Sequence, residues 1–547
     1  MYGVKPSGYF GKLAELGGAP IVIFQDQESK SRVTSTEAII RNIEACCKLA
    51  DTIKTSFGPK GMDKLIVKND GSIIVTNDGA TIMKEMPIVH ECARLLVELS
   101  QSQDNEIGDG TTGVVILAAA LLREAARLIT QKFHPIAIIK GYEQACEIAV
   151  KAISEVAVPV PYENREFFVN AAVTALNSKV VNHDKEHLAK ICVDATFNVA
   201  DLSRKDVVSE LIVVEVQPGK AISKTELVNG LVIAKEFSHC QMKKCVEDAR
   251  IAILTCPFEP PKPKTKHRLA IKDKQAYQEL VNKESDYFKK MIDKLLEVKA
   301  NIVCCQWGFD DEANHLLLTH GINAIRWISG KEIEMLSLVT NGLIVARFED
   351  LTPEKLGSAQ KIHEVSTGTE NKRMIYFEGC PRQKAVSILV CGGNAMLAQE
   401  TKRSLNDSLC IVRTLIHDPR IIAAGGASEI YANSCIHDLL HVINTSEKFI
   451  YEAFANALLA VPSALIENAG FDIIESYTKI LAKQKEEKNP HLGFDCDNGE
   501  VSDMLKIKVY EALASKVHQL NLATQIVKMI LRIDDVIEPK PAQKMGY

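Results

Sequence analysis

Near the start of the chain, apolar positions are spaced as in a helix followed by a hairpin. Residues 1–30 are predicted to form an irregular arm. A capping box of Thr34 and Glu37 follows, and after it apolar residues recur every three or four positions. This pattern predicts a helix that ends at Gly58-Pro59, because glycine and proline interrupt helices. Two short apolar segments on either side of Asn69-Asp70-Gly71 predict a β-hairpin.

Helical spacing continues beyond the hairpin. A second helix is predicted from about Pro87 to Gln101, and a polar loop is expected to follow it. That loop ends in the sequence GDGTT at 108–112, behind which an alanine- and leucine-rich helix is predicted to extend to about Thr130. This part of the chain is therefore expected to be mainly helical.

The pattern changes near residue 205, where strand-like apolar segments begin to alternate with helical ones. The strand-like segments are Glu210 to Val216, Leu231 to Ala234, Ile251 to Thr255, Ala300 to Cys305, Ala324 to Trp327 and Leu343 to Ala346. A proline-rich basic stretch at 256–268 cannot form a regular helix or a central strand, and an amphipathic helix follows it. Helical spacing returns from about residue 395, so an α/β domain is predicted to be inserted into a helical one.

Composition and charge exclude several classes of protein. Of the 547 residues, 46% are hydrophobic and 25% are charged, which is ordinary for a folded protein of several domains. The formal net charge of -5 gives no general reason to bind nucleic acid or an anionic membrane. The longest uninterrupted apolar segment, Val114 to Leu122, is shorter than the roughly 20 residues needed to cross a bilayer, so no membrane-spanning segment is predicted.

The cysteine pattern favours free thiols. The 15 cysteines are scattered and include no Cys-x-x-Cys pair, so neither a disulfide framework nor a zinc site is predicted. His239, Cys240 and Cys245 come nearest to a metal cluster, and local packing is the favoured interpretation there. Since no signal peptide is recognised either, a cytoplasmic location is expected.

The sharpest feature for chemistry is GDGTT at 108–112. Its two glycines allow a ligand to approach the backbone closely, its two threonines supply hydroxyl donors, and the following helix directs free N–H groups at the same place. This arrangement favours a phosphate cradle. Asp109 in its middle is explained if a magnesium ion lies between the carboxylate and a phosphate. A glycine-rich helix start without any ligand is the alternative.

Three other glycine turns carry weaker signals. They lie at Phe57 to Gly61, Thr76 to Gly79 and Ala424 to Ala427, and each by itself is compatible with an ordinary turn. The sequence GxxxxGK[ST] does not occur, which excludes a P-loop nucleotide site. Nothing in the sequence supports a Ser/His/Asp triad.

In combination, these motifs resemble those of the group II chaperonins. The matching segments are TSFGPKGMDK at 55–64, VTNDGATI at 75–82, GDGTTG at 108–113, ALNSK at 175–179, KRSLNDSL at 402–409, AGGASEI at 424–430 and MILRIDDVI at 529–537. The resemblance covers nearly the whole chain. Within the family, the segments at 256–267 and 306–318 are similar to one subunit type of the eukaryotic cytosolic chaperonin (TRiC/CCT).

The resemblance implies the multidomain chaperonin fold. A mainly α-helical equatorial ATPase domain would comprise residues 1–161 and 424–547, and a small α/β intermediate domain would comprise residues 162–228 and 387–423. The central segment, 229–386, would form an α/β apical domain. Its helical protrusion, at about 256–295, would close a built-in lid.

The resemblance also implies a site for ATP or ADP and Mg²⁺, residue by residue. Asp109 matches the magnesium ligand, Asp78 a catalytic carboxylate near the terminal phosphate, and Asp407 an intermediate-domain carboxylate that orients or deprotonates the attacking water. The other matched nucleotide-binding residues are Gly58, Pro59, Gly110, Thr111, Thr112, Ser178, Lys179, Gly425, Asp495, Glu511 and Lys516. Because Asp407 would lie on a different domain, hydrolysis would wait until the domains close.

Three positions depart from the family pattern. The family's glycine triplet is Ala424-Gly425-Gly426 here, and its Arg-Gly-Gly turn is Cys391-Gly392-Gly393. The family's proline near the ribose is absent between Glu511 and Lys516. None of these changes falls on the three matched aspartates, so an active ATPase is expected.

The expected function is that of one ATP-hydrolysing subunit of a double-ring cytosolic chaperonin that encloses and folds proteins. The resemblance implies paralogous subunits in a hetero-oligomeric ring, unfolded clients such as actin and tubulin, and prefoldin-like co-chaperones as partners, with neither nucleic acid nor a membrane. Two alternatives remain open. One is a structural ring subunit with weak or no ATP hydrolysis, and the other is an independent small-molecule phosphotransferase, for which the sequence shows no acceptor motif.

Overall fold

The computed structural model describes most of the chain. The described residues are 12–14, 21–23, 36–68, 71–259, 265, 271, 273–367, 372–382, 385–441 and 446–534. Thr34 of the predicted capping box, Asn69-Asp70 of the predicted hairpin turn and most of the stretch 256–268 lie outside them.

The described residues form α-helices and strands in mixed order. The helices are α1 Thr36–Lys54, α2 Gly79–Glu85, α3 Glu91–Glu106, α4 Thr111–Thr130, α5 Pro135–Val156, α6 Arg165–Leu176, α7 Lys185–Val199, α8 Lys274–Glu297, α9 Asp311–Thr319, α10 Gly330–Thr340, α11 Ala395–His417, α12 Ala427–Leu440, α13 Glu447–Leu458, α14 Ala460–Ala469, α15 Ile473–Glu487 and α16 Leu513–Leu531. The strands are β1 Lys12–Ala14, β2 Ile21–Ile23, β3 Lys64–Val67, β4 Ile73–Thr76, β5 Val158–Pro159, β6 Ile212–Pro218, β7 Glu226–Val228, β8 Gly230–Ile233, β9 Cys245–Leu254, β10 Ile302–Cys305, β11 Asn323–Ile325, β12 Ile344–Val345, β13 Gly357–Thr367, β14 Lys372–Glu378, β15 Val386–Gly392, β16 Arg420–Ala423, β17 Leu492–Phe494, β18 Val501–Asp503 and β19 Tyr510–Ala512.

The largest hydrophobic core joins helices from both ends of the chain. Helices α1, α3, α4 and α5 pack there against α12, α13, α14 and α16. Helix α4 is apolar around most of its circumference and is buried along most of its length, as expected for a helix at the centre of a bundle. This core therefore closes only when the N-terminal and C-terminal segments meet.

Two further cores lie in the middle of the chain. Helices α6, α7 and α11 pack with the sheet β6-β15-β7, in which β15 is parallel to β6 and antiparallel to β7. Helices α8, α9 and α10 pack with a seven-stranded sheet, in which six strands have the order β11-β10-β9-β13-β14-β8 and the seventh, β12, lies off this path and pairs with β9. One part of β9 pairs with β13 and its C-terminal end pairs with β12, so β9 links the parallel and antiparallel parts of this sheet.

The predicted order of helical, α/β and helical segments is confirmed, as are the hairpin β3–β4 and the end of α4 at Thr130. Two details of the prediction are wrong. The helix predicted at 87–101 is α3, which begins later and continues to Glu106 through the predicted polar loop. The arm expected to be irregular contains the antiparallel pair β1–β2.

One stretch contradicts the prediction that no segment could cross a membrane. Judged by length and composition alone, the stretch Glu447–Ala469 is long and apolar enough to cross a membrane, although it contains no long uninterrupted apolar segment. In the fold they form α13 and α14, and 67% of their most apolar window is buried inside the protein. Packing within the helical core accounts for the apolar character of this stretch.

Candidate nucleotide site

A cavity of about 240 Å³ lies where the helical core, the sheet β19-β16-β5 and helix α11 meet. Its lining comes from segments far apart in sequence, including the turns at 56–59, 77–79, 109–113 and 424–426. The cavity brings together thirteen of the predicted site residues: Gly58, Pro59, Asp78, Asp109, Gly110, Thr111, Thr112, Ser178, Lys179, Asp407, Gly425, Asp495 and Glu511. Lys516 is the one predicted residue that does not line it.

The first turn of α4 forms one wall of the cavity. Gly110 precedes the helix with a φ of 74°, in the left-handed region that favours glycine, and no side chain caps the helix there. The N–H groups of Thr111, Thr112 and Gly113 therefore stay available to an anionic ligand. The buried Gln103 holds the loop in place, since its Nε2 donates to the Asp109 carbonyl oxygen at 2.7 Å.

Asp78 is held firmly beside this wall. Its carboxylate caps α2, accepting from the Thr81 N–H at 3.0 Å and the Thr81 hydroxyl at 2.6 Å, and Thr111 donates to it at 3.3 Å. Burial works to raise the pKa of Asp78, but Lys179 and the Thr81 donors outweigh it, so the pKa is lowered. The turn at Thr76 to Gly79 is therefore a helix start whose cap is an ionised carboxylate.

Asp407 reaches the cavity from helix α11 and pairs with Lys179. Burial raises the pKa of Asp407 to about 7, because it outweighs the attraction of Lys179 and because Asp78 lies nearby. Burial would lower the pKa of Lys179, yet Asp407 and Asp78 raise it overall. The charged Lys179 therefore attracts two carboxylates. Asp78 stays ionised, whereas Asp407 titrates near neutrality.

Asp109 fits a magnesium ligand by its chemistry. Its carboxylate lines the cavity, and burial raises its pKa against the opposing effects of the Gly110 N–H, Lys179 and Lys516. A divalent cation would offset that buried charge. No group of three or more His, Cys, Asp or Glu side chains poised for a metal occurs among the described residues. Magnesium does not need one, since it binds through one or two carboxylates together with phosphate oxygens and waters.

The turn at 424–426 keeps glycine where the backbone requires it. Gly425 and Gly426 have φ values of 68° and 77°, whereas Ala424 has no positive φ. A Cβ atom at Gly425 would lie 2.9 Å from Met504 Sδ and 2.9 Å from the Phe494 carbonyl oxygen. Ala424, which departs from the family pattern, therefore lies at the one position of this turn where the backbone does not require glycine.

Lys516 lies behind the cavity wall, in a buried ion cluster. Its Nζ is 2.7 Å from Glu429 Oε1 and 2.8 Å from Glu511 Oε2. Burial works to lower the pKa of Lys516, but the two glutamates raise it. The lysine holds Glu511 at the edge of the cavity. Asp495 is also engaged within the protein, since it accepts from Asp497 N–H at 2.9 Å and from Asn498 Nδ2 at 2.8 Å.

Comparison with known proteins identifies a family whose model matches most of this chain. Residues 49–541 match the model of the TCP-1/cpn60 chaperonin family. The chain belongs to that family. The chaperonin fold is thereby confirmed, and the relatives described next confirm the group II chaperonin resemblance and a role as a protein-folding chaperone subunit.

Three relatives of this chaperonin chain share most of its length. The T-complex protein 1 subunit epsilon of Encephalitozoon cuniculi is 45% identical over 513 residues, covering 94% of this chain and 96% of the relative. A thermosome subunit of Pyrococcus abyssi is 39% identical over 536 residues, covering 97% of this chain and 96% of the relative. The thermosome subunit beta of Thermococcus kodakarensis is 39% identical over 534 residues, covering 97% of each. Epsilon is the subunit type that the segments at 256–267 and 306–318 indicate, so that similarity is confirmed.

Three polar residues that support the site of this chaperonin were not found from its sequence. Glu429 follows the turn at 424–426 and pairs with Lys516, Gln103 lies in the segment predicted to be a loop, and Thr76 precedes Asp78. All three are buried. Glu429 and Thr76 stand inside matched motifs, and this was the available signal. Gln103 gave none, because a single polar residue in a polar stretch has no distinctive pattern.

Proposed function

We propose that the chain binds ATP with Mg²⁺ in this cavity and hydrolyses the ATP to ADP, as one subunit of a hetero-oligomeric double ring in the cytoplasm. One observation carries the proposal: Asp78 and Asp407, from separate parts of the fold, flank Lys179 beside the uncapped first turn of α4. That arrangement combines an anion cradle, which can stabilise phosphate charge, with a buried carboxylate that can accept a proton from water during hydrolysis of a phosphoanhydride.

Each residue has a role that follows from its surroundings. The N–H groups of Thr111, Thr112 and Gly113 at the start of α4, together with the Thr112 hydroxyl, hold phosphate oxygens, while the Thr111 hydroxyl donates to Asp78. Asp109 would hold Mg²⁺, which neutralises phosphate charge when bound. Asp78 is kept ionised beside Thr111, where it can orient water. Asp407 accepts a proton from the attacking water, since its pKa near 7 suits a general base at neutral pH.

The names of the relatives support the larger assembly. Each is a subunit of a T-complex protein or of a thermosome, so we propose that this chain also functions with paralogous subunits. Unfolded proteins such as actin and tubulin are proposed as clients, with prefoldin-like proteins as co-chaperones. Closure of α11 onto the cavity would then couple ATP hydrolysis to lid closure.

The endogenous protein should purify as a double-ring particle that contains related chains and turns over ATP. Native mass measurement, subunit identification and an ATPase assay on the same preparation test this expectation. A ring whose subunit of this type keeps ATP unhydrolysed would favour the structural alternative. Recovery only as a monomer would contradict the ring proposal and favour an independent phosphotransferase.

Replacing Asp109 with alanine should weaken ATP binding in a way that added magnesium cannot restore. The substitution removes the carboxylate proposed to hold the ion, while the backbone of the cradle stays in place. Calorimetric titration of ATP at several magnesium concentrations measures the effect. Glu98→Ala is the control, because Glu98 is exposed on the neighbouring helix α3 and does not line the cavity. An unchanged magnesium-dependent affinity for Asp109→Ala would remove Asp109 from the site.

A further inference from the structure

A line of hydrogen bonds connects helix α11 to the backbone of Asp78. Arg403 Nη1 lies 2.5 Å from Glu400 Oε2, and the Thr76 hydroxyl donates to Glu400 Oε1 at 2.9 Å. The same Thr76 oxygen accepts from the Asp78 N–H at 3.1 Å. A hydroxyl can donate once and accept at the same time, so Thr76 satisfies both neighbours.

The glutamate in this line is isolated from water. The Glu400 side chain is only 4% exposed, and Thr76 is fully buried at the end of β4. Burying a carboxylate is costly unless it is paired and hydrogen-bonded. Arg403, on the next turn of the same helix, forms the ion pair, Lys179 adds a further electrostatic attraction, and Thr76 provides the contact with a different part of the fold. None of the roles proposed for ATP hydrolysis accounts for this buried acid.

Helix geometry places Glu400 and Asp407 on the same side of α11. They are seven residues apart, which is close to two helical turns, so both project towards the segment around Asp78. Asp407 meets Lys179 there, and Glu400 meets Thr76. Helix α11 is therefore held at two points: Asp407 pairs with Lys179, which lines the cavity, and Glu400 accepts from Thr76, which does not line it.

We infer that Glu400 is a positioning residue for hydrolysis: through Thr76 it sets where the Asp78 backbone lies relative to Asp407 on the same helix. The inference rests on the proposed ATP hydrolysis. When α11 is seated, the Glu400–Thr76 bond fixes the separation of the two carboxylates across the bound phosphate. When α11 shifts, that bond breaks and both the Asp78 loop and Asp407 leave their working positions. Glu400 itself touches no substrate.

Thr76→Val and Glu400→Ala should each lower the single-turnover hydrolysis rate by about tenfold to hundredfold, the scale of a small misplacement of reacting groups. The Kd for ATP should stay within about threefold of wild type, since no phosphate contact is lost. Thr76→Ser keeps the hydroxyl and should restore most of the rate. The double variant should be little slower than the slower single variant, because the two residues act through one another.

The matched control is Thr401→Val, measured in the same full-length assembly. Thr401 is buried on α11 and its hydroxyl donates at 2.8 Å to Leu397 O within the helix, so its removal tests loss of a buried hydroxyl alone. Equal rate losses for Thr401→Val and Thr76→Val would overturn the inference, because the effect would then be general. Additive losses in the double variant would also overturn it.

Amide hydrogen exchange without nucleotide gives a second measurement that does not depend on turnover. Thr76→Val and Glu400→Ala should speed exchange of the Asp78 amide, whereas Thr401→Val should leave it unchanged. A wild-type subunit that binds but never hydrolyses ATP would defeat the proposed function, and exchange would still decide whether the line of hydrogen bonds positions Asp78. Unchanged exchange in both variants overturns the inference.

Discussion

Asp407→Ala should lower ATP hydrolysis at this subunit by about 10²–10⁴ while leaving ATP affinity nearly unchanged. The reason is that Asp407 contributes a proton acceptor from α11 and no contact that holds phosphate. Its loss leaves Lys179 under the attraction of Asp78 and Glu400, and it removes no contact from the cradle at the start of α4. Binding and hydrolysis should therefore separate in this variant.

The assay has to report on this subunit and not on the ring as a whole. Single-turnover hydrolysis, or density for ATP against ADP at this subunit, meets that need, since active paralogues would otherwise mask the loss. Asp418→Ala is the matched control, because Asp418 follows the end of α11 and pairs with Arg420 at 2.7 Å away from the cavity. ADP formed by Asp407→Ala at the wild-type rate would remove Asp407 from the mechanism.

The same assignment fixes the direction of the pH dependence. A general base acts only when it is deprotonated, and burial raises the pKa of Asp407 to about 7. We therefore expect kcat/KM for ATP hydrolysis to fall as the pH drops through about 7.

Lys516→Met should destabilise the folded chain by about 3–5 kcal/mol, the usual cost of breaking a buried ion pair. Lys516 and Glu429 are both nearly inaccessible to water, so removing the ammonium leaves an uncompensated carboxylate in the core. Chemical denaturation of the purified assembly measures the loss as a shift in the unfolding midpoint. The change should also move Glu511, which Lys516 holds beside the cavity.

Lys528→Met is the matched control for that variant. Lys528 lies on the same helix, α16, and pairs with Glu143 where the two side chains are 37% and 42% exposed. Exposed pairs contribute little, so the expected cost is about 0–1 kcal/mol. Similar losses of stability in the Lys516→Met and Lys528→Met variants would contradict the proposal that Lys516 stabilises the fold by compensating a buried carboxylate.

Acidification should remove the stabilisation that the buried pair of Lys516 and Glu429 provides. Burial works to raise the pKa of Glu429, but Lys516 and Ser428 outweigh it, so the folded-state pKa lies below its ordinary value. A depressed carboxylate pKa contributes stability that is present above the unfolded-state pKa and is lost as the pH falls through the folded-state pKa. The difference in stability between wild type and Lys516→Met should therefore narrow in acid.

Sequence patterns predicted α4 and its glycine turn well, because both have strong local causes. Helix α4 is a long apolar helix, and Gly110 occupies a left-handed position that other residues avoid. The short helix α2 was missed, since seven residues are too few to show a clear periodicity. For the same reason, the sequence around its Asp78 cap is by itself compatible with an ordinary turn.

Strand β13 was not predicted, and the spacing of its apolar residues explains why. In β13 the apolar residues Ala359, Ile362 and Val365 fall three positions apart, which is helical spacing, and not the alternation of a half-buried strand. The strand forms because β9 offers an unpaired edge on one side and β14 pairs along the other. Pairing of this kind is decided by tertiary structure, which local propensity does not contain.

The contacts that support the site were beyond the reach of local patterns. Glu400 and Thr76 are 324 residues apart in sequence, and Glu429 and Lys516 are 87 apart. Resemblance to a known family supplied the residues that line the cavity, but a buried acid that acts through a neighbour becomes visible only when the chain is folded.

The helical core that is built from both ends of the chain has a consequence for biosynthesis. Helix α4 is completed early during translation, yet its partner α16 is among the last described segments to be made. The core around the seven-stranded sheet contains only residues 211–385 and can close before the C-terminal part has been synthesised. An emerging chain therefore carries a closed core around the seven-stranded sheet beside unburied apolar helices, and the cavity of the candidate site cannot form until β19 has left the exit tunnel. A protein of the folding machinery thus itself passes through a stage in which it needs protection from aggregation.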